Sequence, residues 1–133
     1  MAAPAHKLQG KTPGPDHPIA IQPTLDRVVV KFAGEVIADS TRALTLREAK
    51  YPAVQYIPRG DVKMERLVRT EHHTHCPYKG DASYFTVKAG GRTSENAVWS
   101  YEQPFEAVGE IADHVAFYPD RVDSIEIIEG SPT

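Results

Sequence analysis

The sequence predicts a single, mainly β domain with one short helix in its C-terminal half. Three observations predict it. Apolar and polar residues alternate with period two in several short runs, as in Arg27–Phe32. Turn signals such as Ala33-Gly34 and Gly90-Gly91 separate those runs at hairpin spacing. Only one stretch, Phe105 to Val115, repeats apolar residues at helical spacing.

The elements follow in chain order. Residues 1–24 read as a Pro-rich N-terminal arm. Pro4, Pro13, Pro15, Pro18 and Pro23, with Gly10 and Gly14, punctuate it too often for a helix or a central strand. Ile19 and Ile21 are still spaced like one face of an extended segment that packs on the domain. The domain itself spans 25–128. Val28, Val30 and Phe32 mark its first strand; Glu35 to Ser40 returns after the Ala33-Gly34 turn, and Ala43 to Arg47 extends the sheet. Val54 to Ile57 is a short strand ended by Pro58. Asp61 is placed to cap one helical turn through Leu67. Leu67 to His75, Ala82 to Lys88 and Thr93 to Tyr101 read as three further strands. Gln103-Pro104 starts the helix, since proline fits a first turn, and Phe105, Val108, Ile111, Ala112 and Val115 form its inward stripe. Pro119-Asp120 makes a turn, Val122 to Ile128 is the last strand, and 129–133 form a loose tail. The total is about seven short strands and one helix.

Composition narrows the function. The chain has 133 residues, 41% hydrophobic and 25% charged, an ordinary globular balance. A formal net charge of −3 gives no basic footprint, so nucleic acid is not an expected partner. No apolar run approaches the ~20 residues of a membrane span, so a membrane is not expected either. Met1 to Lys7 lacks the apolar centre of a signal peptide, and a single cysteine cannot form an internal disulfide. A cytoplasmic location is expected.

Chemistry concentrates in His72-His73-Thr74-His75-Cys76-Pro77-Tyr78-Lys79-Gly80. On a strand, His73 and His75 share one face, and His72, Thr74 and Cys76 the other. Pro77 pre-sets the second position of a turn that Gly80 leaves. Cys76 and Lys79 are then its first and fourth residues. A nearby ammonium favours the thiolate, so Cys76 is a candidate nucleophile with Lys79 as its electrostatic partner. The alternative is a small buried hydrophobe behind a turn. His73-x-His75 is a candidate metal pair whose third ligand would be His114 or Glu71, but two ligands are fewer than a closed site needs. No cofactor is evident, with a divalent metal as the minor alternative. His75 is instead a candidate proton carrier.

Other candidates lie along the chain. Trp99 and Tyr101 share a strand face, and with Tyr84 they form a candidate floor for a planar ligand; the competing reading is core. Tyr56 stands near Arg59, a candidate fork onto a phosphate or carboxylate. Glu48 and Asp61 are candidate acid–base or metal-holding carboxylates, or else a surface charge and a turn cap.

Taken together, these motifs resemble the family known as domain of unknown function 427. The resemblance rests on Arg27-Val28 and Gly34-Glu35-Val36-Ile37-Ala38-Asp39-Ser40, on Glu48, and on Tyr56-Ile57-Pro58 with Asp61-Val62. It continues through Cys76-Pro77-Tyr78-Lys79-Gly80-Asp81-Ala82 with Tyr84, Asn96-Ala97-Val98-Trp99-Ser100-Tyr101 and Phe117-Tyr118-Pro119, covering residues 25–128. Pro13 to Pro18 is similar to the extension of many bacterial members. The resemblance implies a compact folded-sheet, β-tent or Mss4-like domain. The structural zinc of such relatives sits between paired cysteines, which this chain lacks. The family also carries a nucleotidyltransferase label. Neither a Gly-Ser pair with Asp-x-Asp nor a G-x-x-x-x-G-K loop is present, so that label rests on Glu48, Asp61 and Asp81 converging in space.

Two functional expectations result. The first is a domain that binds a small, anionic or nucleotide-like molecule and acts on it as an enzyme, with Lys79 stabilising negative charge. The second is a non-enzymatic assembly module, a homodimer that presents its Tyr, Trp and His surface to a partner.

Overall fold

Side-chain alternation along the strands, broken only at register shifts, decides what each face of the structure holds. The computed structural model describes residues 10–129. The strands are β1 (Ile19–Pro23), β2 (Arg27–Phe32), β3 (Glu35–Ser40), β4 (Leu44–Glu48) and β5 (Val54–Pro58), then β6 (Leu67–Cys76), β7 (Gly80–Ala89), β8 (Arg92–Ser100), β9 (His114–Phe117) and β10 (Ser124–Ile128). Seven of them form an antiparallel sheet in the order β1-β4-β5-β9-β8-β7-β6, and three form a second in the order β10-β2-β3. The fold is mainly β, a single compact unit, as the sequence predicts.

The large sheet separates two different interiors. Sequence neighbours face opposite ways because a strand alternates. Ile57, Phe85, Val98 and Phe117 join Val28, Val30, Phe32 and Ile37 of the small sheet in an apolar core. Tyr56, Tyr84, Trp99 and Ala116 belong to a second cluster with Leu46 and Tyr101. The first interior stabilises the fold; the second carries polar atoms. The 3₁₀ helix Glu106–Ile111 covers the second with Val108 and Ile111, both fully buried.

Two-residue turns set the hairpins. Ala33 and Gly34, with φ of 53° and 76°, join β2 to β3, and Gly90 and Gly91, with φ of 56° and 74°, join β7 to β8. Both pairs have the positive φ values that match strand twist. Register shifts at Arg69/His73 in β6 and between Phe85 and Val87 in β7 bend the sheet. The sites of the bends are tied together: Thr70 Oγ1 donates to Asn96 Oδ1 at 2.7 Å.

The structure corrects three expectations. The helical stripe ends early: Val108 leaves helical geometry (φ −124°, ψ 28°), the helix stops at Ile111, and Asp113 turns the chain at φ 63°. Val115 therefore lies in β9. Val108 and Ile111 are three apart, a spacing that a 3₁₀ turn satisfies as well as an α-helix does. Asp61 does not start a helix; it ends the 3₁₀ turn Arg59–Asp61, and a separate turn, Met64–Arg66, follows. The second half of the proline-rich segment is an edge strand, because β1 pairs with β4 from Ile19↔Glu48 to Pro23↔Leu44. Proline is tolerated at such an edge. Residues 1–9 and 130–133, most of the expected arm's start and of the tail, lie outside the described residues. Among the described residues no helix is long and apolar enough to cross a membrane.

Candidate functional site

The second interior opens as a cavity of about 460 Å³. Its floor comes from neighbouring strands: Leu46 and Glu48 from β4, Val54 and Tyr56 from β5, Tyr84 from β7 and Trp99 from β8. Cys76 and Lys79 enter from the β6–β7 turn, Tyr101 and Tyr118 from the strand ends, and Tyr51-Pro52 form a lip. The turn is the one its sequence predicts, with the Lys79 backbone N–H donating to the Cys76 carbonyl at 3.3 Å. Gly80 leaves it at φ 112°, a conformation that favours glycine.

At one end of the cavity Glu48 is held by two groups. Lys79 Nζ donates to Oε1, and His17 Nε2 lies 2.7 Å from Oε2. Burial pushes the Glu48 carboxyl up, but the hydrogen bonds from Lys79 and His17 outweigh it and hold the group below its ordinary value. Lys79 Nζ also stands 5.7 Å from the centre of the Tyr101 ring. Its charge is thus compensated by Glu48.

His17 was not legible as a site residue. Its ring stacks on Tyr78 at 3.9 Å between centres. The segment before it is strapped to the same corner: the Lys11 N–H donates to the Pro77 carbonyl at 2.7 Å, and a bridge closes between Gly14 and His17. Gly10 has no room for a side chain there, since a Cβ would stand 2.5 Å from the Pro77 oxygen.

The other end is a chain of aromatic groups. Trp99 Nε1 donates to the Tyr56 hydroxyl at 3.2 Å. The Tyr84 hydroxyl lies 2.9 Å from Thr74 Oγ1 and 3.3 Å from the Tyr118 hydroxyl. Trp99 and Tyr118 lie 4.5 Å apart between ring centres. Burial raises the Tyr56 and Tyr101 hydroxyls far above the ordinary phenol value, and raises Tyr118 to about 12. The Tyr56, Tyr101 and Tyr118 hydroxyls therefore stay neutral, able to donate and accept.

The remaining candidates lie elsewhere. Arg59 is at the end of β5, donating to Ser100 Oγ at 3.1 Å and to Glu102 Oε2 at 2.8 Å. Arg69 grips the same carboxylate with two bonds of 2.7 Å. Asp61 accepts from Ser40 Oγ and from Arg42 in a separate depression beside Gly60 and Lys63. His75 faces away from the cavity; its Nδ1 lies 2.7 Å from Asp81 Oδ1, and with His73 it borders a third depression. Glu48, Asp61 and Asp81 therefore line three different hollows, each with its own partner. Among the described residues no three His, Cys, Asp or Glu side chains are grouped to hold a metal.

Cys76, Lys79, Glu48, Tyr56, Tyr84, Trp99 and Tyr101 thus share one cavity, while His75, Asp61 and Arg59 do not. Tyr118, which the sequence offered only within a family motif, lines it too, and His17 supports Glu48 at its end. A search of curated proteins finds no match to the chain. A family model described as Domain of unknown function (DUF427), and named NTP_transf_9, matches residues 20–127. With most of its length under that model, and with the motifs of the cavity inside it, the chain belongs to the DUF427 family.

Proposed function

We propose that this domain binds a small, planar, hydrogen-bonding molecule, nucleobase-like or phenol-like in chemistry, in the tyrosine-lined cavity. The observation that carries the reading is the gathering of residues from β4, β5, β7, β8 and the β6–β7 turn around one hollow of about 460 Å³. That size suits a small ligand. Trp99 and Tyr118, packed 4.5 Å apart between ring centres, supply an aromatic wall. Neutral hydroxyls supply donors and acceptors along its edge. Because Glu48 compensates Lys79, the lining has little net charge, which favours an uncharged ring over a phosphate or other anion. Metal-held triphosphate transfer draws no support from the dispersed carboxylates.

The test uses the chain's single tryptophan, Trp99, as reporter. Nucleobases, nucleosides and phenols are titrated while Trp99 emission and thermal unfolding are followed. A ligand at one hundred times its dissociation constant adds about 2.7 kcal/mol of stability. Binding should protect Cys76 from alkylation, and Tyr84→Phe should weaken it. If no compound changes either signal and the protein is a tight dimer in light scattering, the assembly reading replaces this one.

A further inference from the structure

The large sheet is split beside the cavity. β5 and β9 are neighbours, but their ladder consists of Ile57↔Val115 and Pro58↔His114 alone. From Tyr56 back to Val54, and from Ala116 onward, the two strands run without pairing to each other. β5 turns instead to β4, with Leu46↔Val54 as its last pair. β9 stays with β8 until the Tyr118 N–H bonds the Ala97 carbonyl at 2.9 Å, and Pro119 then leads the chain away. A wedge-shaped opening is left in the sheet.

A second cavity, of about 620 Å³, occupies that opening. Tyr51, Pro52, Val54, Trp99 and Tyr118 border both cavities. The second is otherwise lined by Val30, Ile57 and Phe117 of the apolar core and by Ile125 and Ile127 of β10. Among the described residues no charged one borders it. Its one amide, Gln55, has its oxygen taken by Thr24 Oγ1 at 2.7 Å and Thr45 Oγ1 at 3.1 Å.

We infer that the ligand is amphipathic, a hydrogen-bonding ring in the tyrosine-lined cavity carrying an aliphatic tail that passes between β5 and β9 into the apolar one. The inference rests on the reading above and extends it to a ligand class. The two hollows share five wall residues, which places them side by side at the opening between β5 and β9. A hollow lined mainly by apolar side chains would penalise a charged group and reward methylenes.

A series of 4-alkylphenols, from phenol to 4-octylphenol, tests it on the full chain through Trp99 emission. Each added methylene should tighten binding about four-fold, the equivalent of ~0.8 kcal/mol per buried CH₂, until the cavity is filled. Ile127→Asp, at the half-exposed rim of the second cavity, should cut that gain below about two-fold; Ile127→Ala serves if the charged variant does not fold. Phenol that binds with no dependence on chain length overturns the tail while leaving the ring site. A gain that survives both substitutions, or that disappears as the protein dimerises through β10, also overturns it. A series in which even phenol leaves Trp99 unchanged removes the ring site as well.

Discussion

Glu48 shows how much a single side chain depends on residues far from it in sequence. It is a carboxylate between an ammonium and an imidazole, with little exposure to water. Removing Lys79 leaves the buried carboxylate with His17 as the one that remains of these two supports, and a buried charge that loses a partner is costly. Lys79→Met should destabilise the domain by about 3 kcal/mol, measured by urea unfolding. The double variant Lys79→Met, Glu48→Gln should recover most of that loss; no recovery would mean that Lys79 acts by packing alone. Cys76 and Lys79 were legible because proline and glycine at fixed offsets define a turn. Glu48 was legible only as a lone carboxylate, and His17 not at all. Their meeting depends on chain crossings that local spacing does not encode.

Hairpins and breaks govern the next scale. The Gly90-Gly91 turn packs against the Ala33-Gly34 turn, and a Cβ on Gly90 would stand 2.9 Å from the Ala33 oxygen. Gly90→Ala should therefore cost more than the ~1 kcal/mol that positive φ alone imposes, read from the unfolding midpoint. An equal cost at Gly91, where nothing crowds the added methyl, would contradict the close approach. The strands were legible where period two persisted over a hairpin, as in β2 and β3 or β7 and β8. β1 was obscured by its flanking prolines. β9 was obscured by its length of four residues and by apolar spacing that also fits a helix. The opening beside it is a property of pairing, which no run of residues displays.

Across the molecule, one charge cluster joins distant parts of the large sheet. Glu102, just past β8, binds Arg69 of β6 and Arg59 past β5. The hydrogen bonds from Arg69, opposed by burial and aided by Ser83 and Arg59, lower its carboxyl from 4.5 to about 2. A folded-state value below the unfolded one stabilises the protein above the unfolded value and ceases to as acid is added. Glu102→Gln should thus cost about 1 kcal/mol at neutral pH, since half-exposed pairs are screened. The gap to the parent should narrow below pH 4.5 and close near pH 2 in urea unfolding at each pH. A gap independent of pH would assign the loss to packing. Fold class was legible from the sequence because alternation and turns are local. Strand order, and with it the division into an apolar and an aromatic interior, was not.

The stacking of His17 on Tyr78 has a practical consequence. The matched family segment begins at residue 20, three positions after the imidazole that steadies Glu48. A fragment trimmed to those limits would lose one of that carboxylate's two supports and uncover the tyrosine at the bend. Ligand screens run on such a fragment would interrogate a mouth that lacks the imidazole beside Glu48.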